Sequence, residues 1–314
     1  MSFPESAVNN PRGFRPIDTA TLTYVAVEAV LVAIFMSARQ GWYFYLGLYV
    51  SAAALTLMMT MMSYQGKIWR TIRLVYPLII MSIFYEALNA QIFMVRGLPL
   101  DSRINSFEMA VVGFDSSFAL LPHMNIWRNE IMSLAYMSYY LFVPAAVFAL
   151  AFRGKWQSLE KMALAASVTF YVCYVIFVFY PVLGPRFYLG NIYYLPFDGP
   201  FFTPLVMKIV GAGGLYGGAM PSSHCAIALV VAWYLIREFK RAMLPIITLL
   251  ILLCVSTIYG RFHYLSDVVV GLMLGAAVLA MTSIWHGRFM ASRAEDQQAP
   301  TVDITPVIEA GVEQ

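Results

Sequence analysis

The residues best suited to chemistry in this sequence lie in two short polar stretches, each at the edge of a long apolar run. The first is Gly217–His224, with the sequence GGAMPSSH, and the second is Arg261–Asp267, with the sequence RFHYLSD. Titratable groups beside hydrocarbon are costly to desolvate, so they are commonly retained for function. Two histidines, a carboxylate, hydroxyls and arginines at helix ends would suit phosphoryl transfer through a phosphohistidine.

The second stretch holds a histidine and an aspartate four residues apart. If a helix begins near here, His263 and Asp267 lie on one face. The carboxylate would then accept a hydrogen bond from one imidazole nitrogen and leave the other free as a nucleophile. The alternative is a pair that only caps a helix at the membrane interface.

Two further positions have residue types that bind anions. His224 follows Pro221, Ser222 and Ser223, a sequence typical of a helix start, where free N–H groups bind anions. The alternative is an ordinary serine cap beside a flexible glycine-rich loop. Arg186 presents planar donors that match phosphate, although a lone arginine at a membrane edge is often an interfacial anchor.

The composition predicts a membrane protein. The chain is 61% hydrophobic and 12% charged, with a mean hydropathy of +0.71, whereas about a quarter of the residues in soluble domains are charged. The net charge of +3 is small, and the basic residues are dispersed, which argues against a nucleic-acid partner. The three cysteines are too scattered for a disulfide framework or a metal site.

Apolar runs predict an all-α, polytopic transmembrane helical bundle, because a spanning helix needs about 20 apolar residues. We predict about eight spans, at residues 20–38, 42–62, 74–94, 130–151, 162–181, 223–236, 243–259 and 268–285. The predicted organisation is a cytoplasmic N-terminal segment at 1–19, a membrane-embedded domain at 20–290 and a disordered cytoplasmic tail at 291–314.

Loop charges predict the orientation of the bundle. With a cytoplasmic N-terminus, thirteen of the twenty basic residues fall on the inside, as the positive-inside rule favours. Both histidine stretches then lie on the same, non-cytoplasmic side. The predicted location is a bacterial inner membrane with a periplasmic site and both termini in the cytoplasm, and a eukaryotic endomembrane with a lumenal site is compatible.

Three segments in order, Pro185-Arg186, Pro221–His224 and His263–Asp267, resemble the three-motif signature of the type-2 phosphatidic acid phosphatase superfamily. The resemblance covers roughly residues 70–290 and is most specific over 181–271. It implies a six-helix core and no requirement for a metal or other cofactor. It also implies that Arg186 and Ser222 bind phosphate, His224 protonates the leaving group, His263 attacks phosphorus and Asp267 orients His263.

The sequence departs from that signature at three positions and in the order of the first motif, where Pro185-Arg186 reverses the expected Arg-Pro. Phe179 stands where a lysine is expected, Ser223 replaces a glycine, and Thr257 replaces an arginine. We predict that Ser223 and Arg261 contribute to phosphate binding, Arg261 in place of a missing cation. The segment Ala219–His224 is more similar to the branch that contains inositol phosphorylceramide synthases and sphingomyelin synthases.

The predicted function is a metal-independent lipid phosphatase or phosphotransferase. It would move a phosphoryl or phospho-headgroup from a membrane lipid phosphate ester, through a phosphohistidine, to water or to a second lipid or polyol alcohol. The alternative is a non-catalytic transporter or scaffold that binds an anionic ligand at the same cluster. A transporter would be expected to show repeats or broken helices, and the sequence shows neither.

Several carboxylates outside the motifs are open to two interpretations. Glu28 and Glu86 lie in apolar spans, where a carboxylate is a candidate for function or is bonded to a neighbour. Asp101, Glu108 and Asp115 lie in the first long outside loop and are candidates for contact with a headgroup or acceptor.

Overall fold

The computed structural model describes residues 13–62, 64–193 and 195–298. Over these ranges the chain forms twelve α-helices and no strand, apart from one isolated parallel bridge between Val182 and Gly218. The predicted all-α bundle is therefore confirmed. The helices are α1 Pro16–Phe35, α2 Trp42–Met61, α3 Gly66–Gln91, α4 Asp101–Val111, α5 Ser116–Ala119, α6 Ile126–Phe152, α7 Trp156–Phe179, α8 Pro185–Tyr188, α9 Phe202–Gly213, α10 Ser223–Glu238, α11 Met243–Tyr259 and α12 Leu265–Gln298.

Seven apolar helical segments are long enough to cross a membrane: α1, α2, α3, α6, α7, α12, and α11 together with the 3₁₀ turn Lys240–Ala242 that precedes it, which makes a segment of 20 residues. They match seven of the eight predicted spans. The prediction for 223–236 differs, because α10 has only 16 residues, about 24 Å at 1.5 Å per residue, against a hydrocarbon core of about 30 Å.

The short helix α10 nevertheless runs from the motif end of the bundle to the opposite end. Glu238 at its last turn pairs with Lys155, which lies between α6 and α7, at 3.1 Å. Helices α6, α7, α11 and α12 all pack against α10, and most of its side chains are buried. A helix surrounded by protein does not have to match the thickness of the lipid hydrocarbon, so α10 can be shorter than the helices that contact lipid.

Buried ion pairs tie the N-terminal helix to the bundle at the end opposite the motifs. Arg73 on α3 pairs with Asp18 on α1 at 2.6 Å, and Arg15 pairs with Glu160 on α7. Buried charges are tolerated when they are paired in this way. The first helix is therefore part of the packed bundle.

The chain ends coincide only in part with the predicted terminal segments. The last helix, α12, continues to Gln298, eight residues into the segment for which disorder is predicted. Residues 299–314 of that segment, and residues 1–12 of the predicted N-terminal segment, lie outside the described residues.

Candidate active site

Backbone hydrogen bonds join the segments that carry the three motifs, residues 181–186, 217–224 and 261–267, at one end of the bundle. They run from Val182 N to Gly217 O (2.8 Å), from Arg186 N to Arg261 O (2.8 Å) and from Ser222 N to Asp267 O (2.9 Å). A second bond, from Ala219 N to Val182 O (2.9 Å), completes the bridge between the first and second motifs. Segments far apart in the chain thus form one structural unit through main-chain contacts.

Two glycines permit this close packing of backbones. Gly184 has a positive φ of 88°, and a Cβ there would clash with the carbonyl oxygen of Phe262. A Cβ at Gly271 on α12 would clash with the carbonyl oxygen of Ser222. Only glycine combines a positive φ with such an approach at no steric cost, so Gly184 is required where the first motif meets the third.

The two motif histidines face each other. His224 lies in the first turn of α10, and its Nδ1 is 3.4 Å from Nε2 of His263. On the other side of the His263 ring, Nδ1 is 3.5 Å from Oδ2 of Asp267. That same carboxylate oxygen accepts a hydrogen bond from Tyr264 N at 2.9 Å. His263 and Asp267 are buried, so the carboxylate is positioned to orient one imidazole nitrogen while the other faces His224.

The two motif serines have different surroundings. Ser222 is the N-cap of α10 and is fully buried, and its hydroxyl oxygen accepts a hydrogen bond from Cys225 N at 3.4 Å. A hydroxyl that accepts one bond still has a proton to donate. Ser223 lines a cavity together with His224. Ser222 therefore caps the start of α10, and its hydroxyl group can still donate a hydrogen bond to a ligand.

Arg186 and Arg261 line one cavity of about 230 Å³ together with Tyr193 and Phe197. The guanidinium of Arg261 lies 4.1 Å from the centre of the Tyr193 ring and donates to Leu195 O at 2.8 Å. None of the described residues that line this cavity is a carboxylate. Two guanidinium groups without a counter-charge make it a suitable place for an anion.

Burial and backbone geometry mark Arg261 as a constrained residue. Burial lowers the pKa of both arginines, and for Arg261 repulsion from Arg186 acts in the same direction. Arginine nevertheless stays charged in proteins. Arg261 has φ 63°, the single positive value among the described residues that are not glycine. Such conformations cost about 1–3 kcal/mol and cluster at functional sites.

A tyrosine that the sequence analysis did not identify contacts the second histidine. The hydroxyl of Tyr136 on α6 is 3.1 Å from Nε2 of His224. Its ring packs on Phe262 with centroids 4.4 Å apart, and the guanidinium of Arg186 lies 5.7 Å from the Phe262 ring. Tyr136, His224, His263 and Asp267 thus form one chain of polar contacts. Nothing in the sequence separates Tyr136 from the other tyrosines of α6.

We expect Tyr136→Phe to lower kcat about two- to tenfold, because a hydrogen bond contributes about 0.5–1.5 kcal/mol. KM should hardly change, since Tyr136 acts through His224 and is a positioning residue. Steady-state kinetics of the purified variant measure both constants. Tyr43→Phe, at an exposed position on α2, is the control that should leave both unchanged. An equal rise in KM would contradict a positioning role.

Two carboxylates of the first long loop fasten the motifs from outside. Asp101 accepts hydrogen bonds from Leu183 N and Gly184 N at 2.8 and 2.9 Å. Burial raises the pKa of its carboxyl group above the ordinary value. Glu108 accepts from both the N–H and the hydroxyl of Ser266. These groups are therefore bonded within the protein, and the expectation of a headgroup contact is replaced by a structural role.

Asp115, the third carboxylate of that loop, is also bonded internally. It caps α5 by accepting from Ser117 N and Phe118 N.

Over the described residues, no group of three or more His, Cys, Asp or Glu side chains is placed to share a metal ion.

Comparison with known proteins identifies a family whose model covers all three motifs. A family model described as the PAP2 superfamily matches residues 108–281. A PA-phosphatase related-family protein of Dictyostelium discoideum is 24% identical over 204 residues, which are 58% of this chain and 35% of that protein. The chain thus matches about a third of the relative's length. No solved structure matches. Because the family model spans more than half of the chain and includes all three motifs, this protein belongs to the PAP2 superfamily.

Proposed function

We propose that this protein is a lipid phosphatase or lipid phosphotransferase that works through a phosphohistidine at His263. Membership of the superfamily supports phosphatase-type activity on lipid phosphoesters in general. The observation that carries the finer proposal is the pair of facing imidazoles, with Asp267 behind one of them. No metal ion takes part in the proposed steps.

In the first step, Nε2 of His263 attacks phosphorus in line. A P–N bond forms as the bond from phosphorus to the lipid oxygen breaks, and the departing oxygen takes a proton from His224. Asp267 stabilises the cationic imidazole that results. The order of the groups along the polar chain supports this division of roles, because His224 lies on the side of His263 away from Asp267.

The ring nitrogens of the two histidines have to separate for this reaction. At 3.4 Å they are within reach of a single shared hydrogen bond, whereas a phosphorus atom between them needs near-attack contact of about 3 Å with the nucleophile alone. Turning the His224 ring away from His263 would provide the space. Substrate binding is therefore proposed to replace the contact between the two imidazoles.

The phosphate oxygens are proposed to bind on the side of the two arginines. Arg186 and Arg261 share a cavity, and charged donors fixed in a low-dielectric site stabilise the charge of the transition state. The Ser222 hydroxyl and the N–H groups at the start of α10 supply neutral donors. These groups take the place of the cations that the sequence lacks at Phe179 and Thr257.

In the second step, water or a second alcohol attacks phosphorus as His224 removes its proton. The new P–O bond forms, the P–N bond breaks, and His263 is released. Water as the acceptor makes the protein a phosphatase, and a lipid or polyol alcohol makes it a phosphotransferase. Loop charges further indicate that this chemistry takes place on the non-cytoplasmic face.

The proposal is tested with the full chain in sealed, right-side-out vesicles and radiolabelled short-chain phosphatidic acid added outside. We expect acid-labile, base-stable label on the chain after rapid quenching, and then free phosphate. With a lipid alcohol present, a new labelled lipid would indicate transfer. Turnover only in opened vesicles would overturn the orientation, and turnover without label on the chain would overturn the phosphohistidine.

A further inference from the structure

A second cavity, separate from the arginine cavity, reaches His224 from within the bundle. It has a volume of about 380 Å³, within the range of about 300–1,000 Å³ for small-molecule sites. Residues of α3, α6, α7, α9 and α10 line it. In the proposed mechanism the phosphate binds beside Arg186 and Arg261, and this second cavity has no role.

The end of the cavity next to His224 is polar. Tyr85, Glu86 and Tyr139 lie there with Ser223 and His224. The Tyr139 ring packs on the His224 ring with centroids 4.3 Å apart. The hydroxyl of Tyr85 accepts a hydrogen bond from Leu215 N at 2.9 Å, so its own proton is left to donate. The cavity therefore offers both donors and an acceptor beside the imidazole that handles the proton of the alcohol.

The other end of the cavity is apolar and lies deeper in the bundle. Leu78 is eight residues before Glu86 on α3, about 12 Å closer to the opposite end of the helix. Val143 and Phe170 complete this end from α6 and α7. Polar lining at the motif end and hydrocarbon lining further down match a molecule with a polar head and an apolar chain.

Glu86 is the one carboxylate among the described residues that line this cavity, and no arginine or lysine among them balances it. Its single hydrogen bond is from Asn89 Nδ2 at 3.4 Å, which is long. Glu86 is exposed, so its carboxylate oxygens are open to a ligand, and a carboxylate within an apolar span is commonly retained for function. The arginine cavity, by contrast, is lined by two cations and no carboxylate among its described residues, so the two cavities suit ligands of different kinds.

We propose that this cavity binds the alcohol side of the reaction, and that Glu86 selects lipid alcohols with a further hydrogen-bond donor beside the reacting hydroxyl. The inference rests on the proposed function, because it assigns the leaving or accepting alcohol to a place beside His224. Glu86 accepts a hydrogen bond from the extra hydroxyl, and the hydrocarbon chain of the lipid alcohol lies along Leu78 and Val143. Glu86 is thus a specificity-determining residue, and it takes no part in bond making.

Binding is measured first, with His263→Ala protein so that no turnover occurs. The probes are 1-O-dodecylglycerol, which has two hydroxyls, and dodecanol, which has one. We expect dodecylglycerol to bind about tenfold more tightly, as a hydrogen bond to a charged group allows. Adding Glu86→Leu, which removes the acceptor, should abolish this preference, whereas Glu86→Gln, which keeps a neutral acceptor, should only reduce it. Glu28→Gln, which alters a carboxylate of α1 outside the cavity, should preserve the preference.

A second pair of variants tests the apolar end. Val143→Trp should fill the space and weaken binding of both probes at least about tenfold, because overpacking a site excludes its ligand. Leu141→Trp on the same helix, at a position 70% exposed, should change neither affinity. Equal binding of the two probes, or a preference that survives Glu86→Leu, would overturn the inference. Failure of the proposed function would appear separately, as the absence of label on the unaltered chain, although the His263→Ala protein still distinguishes the two probes.

Discussion

Replacing His263 with alanine is expected to reduce turnover about 10⁴-fold or more and to abolish labelling of the chain by phosphate. Such a loss corresponds to about 5.5 kcal/mol of transition-state stabilisation, and removal of a nucleophile commonly costs this much or more. The reason is local: no other nitrogen in the site faces His224 and has a carboxylate behind it. Rapid-quench labelling and steady-state turnover measure the two effects independently.

The matched control for His263 is His123→Ala. His123 lies in a short 3₁₀ turn, Leu121–His123, and its side chain is exposed, so its loss should leave turnover unchanged. His263→Gln preserves side-chain volume in the buried site and should be as inactive as the alanine variant. Near-normal turnover by a folded His263 variant would refute the phosphohistidine and favour a protein that binds anions without breaking bonds.

Replacing His224 with glutamine is expected to lower kcat about 10²- to 10⁴-fold for an alkyl phosphate, the usual range for a general acid. The loss in the first step, measured as kcat/KM or as the burst of nitrophenolate, should be much smaller for p-nitrophenyl phosphate, because a nitrophenolate departs without being protonated. Label on His263 should then accumulate, since the same histidine is proposed to remove the proton of the attacking alcohol. Parallel kinetics on the two substrates, with quenching during turnover, measure the difference.

Comparison with Tyr136→Phe separates catalysis by His224 from its positioning. The tyrosine variant retains the imidazole and should show the same dependence on the leaving group in a weaker form. If His224→Gln lowered kcat/KM equally on both substrates and left no accumulated label on His263, its role would be to shape the site rather than to transfer a proton. A melting temperature close to that of the unaltered chain identifies variants that are folded.

The cavity that contains Glu86 and His224 bears on the choice between hydrolysis and transfer. In the proposed mechanism, water and a lipid alcohol would compete for the phosphohistidine at the position next to His224. A lipid alcohol held by Glu86 would exclude water from that position, and an unoccupied cavity would admit it. The ratio of transfer to hydrolysis is therefore expected to follow the affinity of the Glu86 cavity for the alcohol.

Hydropathy alone located seven of the spanning helices. A run of about 20 apolar residues has few stable states other than a membrane helix, so Trp42–Met61 or Trp156–Phe179 could be predicted from composition. The helix Ser223–Glu238 was predicted as a span of the same kind, yet it is shorter and enclosed by other helices. Its sequence shows that the helix is apolar, but it does not show whether the neighbours of the helix are lipid or protein.

The sequence by itself determined the class of the protein, the positions of its motifs and the i,i+4 relation of His263 to Asp267, because these depend on composition and on short spacings. Only the tertiary structure decided that Tyr136 contacts His224, that Asp101 fastens the first motif and that Glu86 shares a cavity with His224. The physical reason is that a helix in a membrane is apolar on the face that meets lipid and on the face that meets protein. Periodicity therefore does not mark the inner face, and which residues meet there depends on how distant helices pack.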